Sequence, residues 1–138
     1  MIAYLDASVV LRLALGEPGR LAEWKRIERA VASALTEVEC LRTLDRLARV
    51  GALAADEVAD RRAVIYDMLE AAEVVDVGRR VLRRASDAFP TPLGTLDAIH
   101  LSTALAWQDT RERPLTMATH GKALATAARA MGLEVIGV

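Results

Sequence analysis

The sequence is poor in the residues from which zinc sites and disulfides are built. It has one cysteine, Cys40, and two histidines, His100 and His120. A single cysteine excludes an internal disulfide and any zinc site that needs several cysteines, and two histidines argue against a histidine-rich zinc site. Structural zinc and disulfide chemistry are therefore not expected.

An excess of charge and long apolar segments are also missing. The 18 basic and 19 acidic residues give a net charge of -1, so any contact with RNA is expected to be local. No segment of about 18 uncharged apolar residues is present, and no basic start precedes an apolar run, so neither a membrane span nor a signal peptide is expected. The length of 138 residues predicts a single domain over 1–138. Because no export signal is recognised, a cytoplasmic location is expected.

Short apolar runs alternate with helical segments along the chain. The alternation predicts an α/β fold, with a parallel sheet of about five short strands and helices on both faces. Trp24 and Ile27 are expected to point inward, and Thr95 to cap the apolar helix that follows it. The strands are predicted at 2–5, 30–33, 73–77, 115–119 and 133–138, and the helices at 6–15, 19–29, 33–50, 56–72, 78–88, 96–108 and 121–132.

Two aspartates lie where such a sheet binds ligands. Asp6 directly follows the first strand, and the carboxyl ends of strands form the binding edge of a parallel sheet. It is a candidate metal ligand, although an aspartate there also serves as a helix cap. Asp97 lies in the first turn of an apolar helix, where the helix dipole favours an acid. Burial among Leu96, Ala98 and Ile99 would be costly without a cation or hydrogen bonds.

A third acid is expected near the start of the helix over 33–50. The segment "TEVEC" offers Glu37 and Glu39. Glu37 falls nearer the apolar face of this helix, whereas Glu39 falls on the polar side with Arg42. The pattern alone favours a solvated Glu39 that pairs with Arg42 or Thr43. Helical periodicity alone leaves the choice open.

Carboxylates that converge on one point predict a bound cation. Two like charges 4 Å apart repel by about 4 kcal/mol at an effective dielectric of 20. A divalent ion turns that repulsion into binding, and carboxylates and water are the ligands that Mg²⁺ and Mn²⁺ prefer. Such a site activates a water molecule and offsets charge on a phosphate.

Four segments together resemble a known family. "IAYLDASVVLRLALGEPG", "ASALTEVECLRTLDRL", "LGTLDAIHLSTAL" and "MATHGKALATAARAMGLEVI" are similar, in order and spacing, to the motif regions of PIN-domain ribonucleases, and especially of the VapC toxins of type II toxin–antitoxin systems. The resemblance covers nearly the whole chain. It implies a PIN-like, flavodoxin-like α/β sandwich and Mg²⁺- or Mn²⁺-dependent endonucleolytic cleavage of RNA, often tRNA or rRNA. It also implies a homodimer and a cognate antitoxin as partner.

The resemblance assigns roles to individual positions. Asp6, Glu39 and Asp97 correspond to three metal-binding and catalytic acids, which selects Glu39 over Glu37, and Ser8 is a supporting hydroxyl. Family members usually carry a fourth acid after a threonine and an aromatic residue or histidine. Thr119 and His120 match that pattern here, but Gly121 stands at the position of the acid, which predicts weak metal binding and slow or absent cleavage.

The remaining polar candidates have weaker signals. His100 is expected to be a hydrogen-bonded core histidine, and His120 is expected to replace an aromatic residue rather than to bind metal. Arg42, Arg46 and Lys122 are possible contacts to RNA phosphates, although surface salt bridges explain the arginines equally well.

Two other functions compete with an active ribonuclease toxin. The departure at Gly121 leaves open a catalytically silent PIN scaffold that binds antitoxin or RNA without cutting. A phosphatase or a response-regulator receiver would also place an aspartate after a parallel strand. "YLDAS" lacks the second acid that the phosphatase pattern needs two residues later, and the acidic pair of a receiver is missing.

Overall fold

The computed structural model describes residues 1–138 and contains one five-stranded parallel sheet. The strands lie in the order β3-β2-β1-β4-β5, so the first strand is central and the strand order reverses between β1 and β4. This architecture confirms the predicted α/β fold. The strands are β1 (Ile2–Leu5), β2 (Arg29–Ser33), β3 (Glu73–Val75), β4 (Thr116–Ala118) and β5 (Glu134–Ile136).

Six α-helices and one short 3-10 helix connect the strands. None of them combines the length and the hydrophobicity that a bilayer span requires. The α-helices are α1 (Ala7–Leu15), α2 (Ala34–Arg49), α3 (Ala55–Glu70), α4 (Arg79–Ala85), α5 (Thr95–Arg111) and α6 (Lys122–Ala130), and the 3-10 helix spans Ala22–Arg26.

Local sequence signals explain where several helices begin and end. The Ser33 hydroxyl accepts a hydrogen bond from the Leu35 amide, which satisfies a free donor at the start of α2. Gly16 ends α1 in the left-handed conformation, with φ of 67°, and donates its amide back to the last turn. These ends agree with the predicted boundaries to within a residue or two.

The hydrophobic core lies in two layers, one on each face of the sheet. One layer joins β1 to α1, α2 and α3, with Val9, Leu44 and Ile65 fully or almost fully buried. The other joins the sheet to α5 and α6, with Leu101 and Leu124 fully buried. Helix α5 buries nine residues, as its apolar sequence predicted. The carboxyl ends of β1, β2 and β4 therefore lie packed between the two layers.

Three local predictions are wrong. Residues 19–29 do not form a helix: only Ala22–Arg26 are helical, in 3-10 geometry, and Arg29 already belongs to β2. Trp24 does not point fully inward, since 37% of its surface is exposed, whereas Ile27 packs partly against the core. The cap of α5 is Gly94 rather than Thr95, which is itself the first helical residue.

The last strand closes tightly against the end of β4. The Thr119 amide donates to the Ile136 carbonyl over 3.1 Å. Gly137 has a φ of 97°, and a Cβ atom there would lie 2.6 Å from the Thr119 carbonyl oxygen. Only glycine fits this approach, which fixes the backbone of Thr119 beside the point where the strand order reverses.

Candidate functional site

Asp6 ends β1 at the reversal of strand order, which is the usual ligand site of an open parallel sheet. Its residue is 6% exposed. Although Asp6 occupies the cap position of α1, its side chain makes no capping hydrogen bond. The carboxylate instead accepts hydrogen bonds at Oδ2 from the Ser8 hydroxyl, over 2.6 Å, and from the Thr119 hydroxyl, over 2.8 Å. Helix capping therefore does not explain this buried aspartate.

The two hydroxyls that hold Asp6 also tie together the ends of β1 and β4. Ser8 Oγ accepts from the His120 amide over 3.0 Å, and Thr119 Oγ1 accepts from the Gly121 amide over 2.9 Å. Each hydroxyl thus donates to the carboxylate and accepts from the strand-to-helix turn after β4. This arrangement uses Oδ2 of Asp6 for both hydrogen bonds, and Oδ1 faces His100.

His100 bonds to Glu39 and lies close to Asp6. The ring is fully buried on α5, and its Nε2 lies 2.5 Å from Glu39 Oε1 and 3.6 Å from Asp6 Oδ1. On the other side, Nδ1 lies 2.8 Å from the hydroxyl of Tyr4, which is also fully buried. The expectation of a hydrogen-bonded core histidine is confirmed, and Glu39 is engaged with this histidine rather than with Arg42, which pairs with Asp45.

The carboxylates around His100 favour the protonated form of its ring. Burial lowers the pKa of His100, but the hydrogen bond with Glu39 and the charges of the surrounding carboxylates outweigh burial and leave the pKa above its ordinary value. Burial, followed by the charge of Asp6, raises the pKa of Tyr4 well above its ordinary value, so the phenol stays neutral.

Asp97 lies one helical turn before His100 and is only partly buried. Burial, followed by the negative charge of Asp6, raises the pKa of Asp97 above its ordinary value, with a further increase from Glu39. The negative charges of Asp6 and Glu39 therefore act on Asp97. Repulsion of this kind is what a bound cation relieves.

The donor set fits a divalent cation by its chemistry but is not arranged as a finished cage. Three carboxylates lie at one end of the sheet, and oxygen donors suit Mg²⁺ and Mn²⁺. No three Asp, Glu, His or Cys side chains, however, are close enough together to hold a metal ion as they stand. A cation at this site would engage Asp6, Glu39 and Asp97, with side-chain adjustment around His100.

The turn after β4 carries no acid. Gly121 caps α6 with an ordinary extended backbone, φ -85°, and a Cβ atom added there would meet only Thr119 Oγ1 at 3.4 Å and Leu124 Cβ at 3.9 Å. The His120 ring turns toward β5, where Nδ1 donates to the Gly137 carbonyl over 2.7 Å. The glycine therefore leaves room for a larger residue.

The other candidate groups lie on the surface or are chemically quiet. Arg42, Arg46 and Lys122 are exposed, the arginines on α2 and the lysine at the start of α6. Burial raises the pKa of the Cys40 thiol to about 12, so thiolate chemistry is not available there. The partnership of Tyr4, His100 and Glu39 had no sequence signal, because its members lie far apart along the chain.

Replacing Asp97 with asparagine is expected to raise the melting temperature near neutral pH. Because the folded-state pKa of Asp97 lies above its unfolded value, ionisation disfavours the fold: stability is fully present below the unfolded pKa and is lost as pH rises through the folded pKa. The gain should therefore disappear on acidification. Melting curves of both proteins across pH, followed by circular dichroism, measure the difference.

Asp56→Asn is the matched control for that comparison. Asp56 is an exposed aspartate in the first turn of α3, so this variant loses the same favourable interaction with a helix dipole without relieving repulsion. A lower melting temperature for Asp97→Asn than for the native chain at neutral pH would contradict the prediction.

Comparison with known proteins identifies the family of the chain. The family model for the PIN domain matches residues 3–129. Ribonuclease VapC46 of Mycobacterium tuberculosis is 32% identical over 136 residues, covering 96% of this chain and 95% of that protein.

Two crystal structures share the fold at low sequence identity. PAE2754 from Pyrobaculum aerophilum superposes with a TM-score of 0.63 at 20% identity, over 97% of this chain and 89% of that one. VapBC2 from Rickettsia felis, bound to a DNA fragment from its promoter, gives a TM-score of 0.65 at 14% identity, over 98% and 97% of the two chains. The chain belongs to the PIN-domain family, in the VapC group of ribonucleases.

Proposed function

We propose that this protein is a metal-dependent endoribonuclease of the VapC type whose activity is reduced because Gly121 replaces the fourth acid. The observation that carries the proposal is the state of Asp6. Its buried carboxylate lies at the reversal of strand order, is held by two hydroxyls, and does not cap its helix. A buried carboxylate is costly unless a positive charge or a metal ion is paired with it.

The acidic residues would hold Mg²⁺ or Mn²⁺. Asp6, Glu39 and Asp97 are the proposed ligands and catalytic acids, while Ser8 and Thr119 hold Asp6 in position. When bound, the ion lowers the pKa of a water molecule and offsets negative charge on the scissile phosphate. The fold orients the three acids, because β1, α2 and α5, which carry or precede them, are packed into the two core layers.

Gly121 is proposed to lower activity without weakening the fold. Glycine caps helices nearly as well as threonine, and its backbone here is unstrained. Three carboxylates are enough for one ion, but a second ion or a water-orienting acid would lack its ligand. Loss of even an indirect partner at a metal site typically costs about 10–100-fold in affinity or activity.

Exposed basic groups on α2 and α6 are proposed to meet RNA phosphates. Arg42 and Arg46 are exposed on α2, and Lys122 begins α6 directly after Gly121. Arg42 forms an exposed salt bridge with Asp45 over 3.5 Å. An RNA phosphate could take the place of Asp45 at little cost, because exposed salt bridges contribute little to stability. The proposed substrate class is tRNA or rRNA.

The proposed partners follow from the family. VapBC2 of Rickettsia felis, a structural neighbour, is an assembly bound to promoter DNA. By analogy we propose a cognate antitoxin, a homodimeric state and a cytoplasmic location for this chain.

Metal-dependent cleavage is the direct test of the proposed function. Purified protein incubated with total RNA should produce discrete fragments when Mn²⁺ or Mg²⁺ is added, and chelation with EDTA should abolish them. Calorimetric titration with Mn²⁺ measures binding separately from turnover. Cleavage that persists in EDTA would contradict a metal-dependent mechanism.

A catalytically silent PIN scaffold is the second candidate. Two observations favour it. Position 121 carries glycine instead of an acid, and no three Asp, Glu, His or Cys side chains are close enough together to hold a metal ion. A silent scaffold would bind RNA or antitoxin without cutting. RNA binding without turnover, even after an acid is restored at position 121, would make this the better account.

A further inference from the structure

We propose that His100, anchored by Tyr4, is a positioning residue that fixes the carboxylate of Glu39 in the acidic site and leaves one of its oxygens free for a cation. The proposal rests on the proposed metal-dependent function. It adds His100, a residue that is not one of the carboxylates. It also states that His100 positions Glu39 and neither of the other two acids.

The first step concerns the direction of the hydrogen bonds. A carboxylate only accepts, so His100 Nε2 carries a proton and donates to Glu39 Oε1 over 2.5 Å. Nδ1 accepts from the Tyr4 hydroxyl over 2.8 Å in the neutral ring and donates to it in the protonated ring, while Nε2 donates to Glu39 in both states. The bond uses Oε1 of Glu39 and leaves Oε2 available, and carboxylates that ligate metals are commonly hydrogen-bonded in this way.

The second step concerns rigidity. His100 and Tyr4 are both fully buried, one on α5 and the other on the central strand, with ring centroids 5.9 Å apart in an edge-on arrangement. The Glu39 side chain is 22% exposed and has three rotatable bonds. The hydrogen bond to a fully buried ring therefore restricts the rotation of the more exposed Glu39 side chain.

The third step separates Glu39 from its neighbours. Asp6 is already held by Ser8 and Thr119, independently of His100, whose Nε2 lies at 3.6 Å. Asp97 lies on the same helix as His100, one turn earlier. Loss of the imidazole should therefore act mainly through Glu39, which makes its effect separable from those of the other acids.

The test combines ring NMR with a double-mutant cycle. In long-range ¹H–¹⁵N spectra, Glu39→Gln should shift the Nε2 signal of His100, Tyr4→Phe should shift Nδ1, and the His120 signals should stay in place. In Mn²⁺ calorimetry, His100→Leu should lower affinity by about 10–100-fold in the native background and have little further effect in Glu39→Gln. His100→Gln, which keeps an N–H donor at similar reach, should retain most of the affinity.

Matched variants separate positioning from general damage. Tyr66→Phe removes a hydroxyl from a tyrosine that is 39% exposed, and should leave Mn²⁺ affinity unchanged where Tyr4→Phe lowers it. If His100→Leu fails to fold by circular dichroism, His100→Gln and Tyr4→Phe still carry the comparison.

Two results would overturn the proposal in distinguishable ways. Equal losses of Mn²⁺ affinity for His100→Leu in the native and Glu39→Gln backgrounds would refute the role of His100 alone. Absence of any Mn²⁺ binding by the native chain and by its Gly121→Asp variant, with the NMR shifts still present, would refute the proposed function and the positioning role with it.

Discussion

Substitution of Gly121 by aspartate is expected to raise both Mn²⁺ affinity and the rate of RNA cleavage by about 10–100-fold, the range typical of a restored partner at a metal site. The structure accommodates the change. The backbone of Gly121 is in the extended region, and a Cβ atom there makes only ordinary contacts at 3.4 Å or more. The new carboxylate would lie in the turn between β4 and α6, close to the Thr119 hydroxyl that holds Asp6.

The gain should depend on charge and on place. Gly121→Asn has nearly the same shape without the charge, so it should improve neither binding nor cleavage. Gly78→Asp is the matched positional control, because Gly78 caps α4 with an extended backbone and open space around its Cβ position. Calorimetry and a cleavage time course on all four proteins make the comparison. If Gly121→Asp binds Mn²⁺ and cuts RNA no better than the native chain, the missing acid is not what limits this site.

The sequence was sufficient for the fold where hydrophobic pattern and turn residues agree. The apolar run of β1 and the buried face of α5 both appear in the structure as predicted. The segment over 19–29 misled because Trp24 and Ile27 have helical spacing, yet the chain must extend again before β2 begins at Arg29. Tertiary pairing with β1 overrides the local pattern there.

The site shows a different limit of sequence reasoning. Asp6 and Asp97 could be selected by their positions at a strand end and a helix start. Glu39 could not be selected by periodicity, because a helical wheel contains only partners on the same helix, whereas Glu39 bonds to His100, 61 residues away. The same holds for Tyr4 and His100, whose contact spans 96 residues. Polar contacts between distant segments become visible only once the topology is known.

Replacing Asp6 is expected to have the largest negative effect of any single change at the site. Asp6→Asn retains the shape and one acceptor oxygen for Ser8 and Thr119, so the fold should persist. It removes the charge of a proposed direct ligand, and the expected loss of Mn²⁺ affinity and cleavage is at least about 100-fold, the upper end of the range seen for indirect partners. The loss is best measured in the Gly121→Asp background, where the starting signal should be greater.

Asp76→Asn is the control that gives this loss its meaning. Asp76 also directly follows a parallel strand, β3, at the same end of the sheet, but it is exposed at the sheet's edge rather than buried where the strand order reverses. The Asp76→Asn variant should therefore cleave RNA and bind Mn²⁺ as well as its parent protein does. Because both aspartates occupy the same kind of local sequence position, a difference between them isolates burial and topology as the cause. Cleavage by Asp6→Asn at the parental rate would instead remove Asp6 from the mechanism, and the carboxylate site with it.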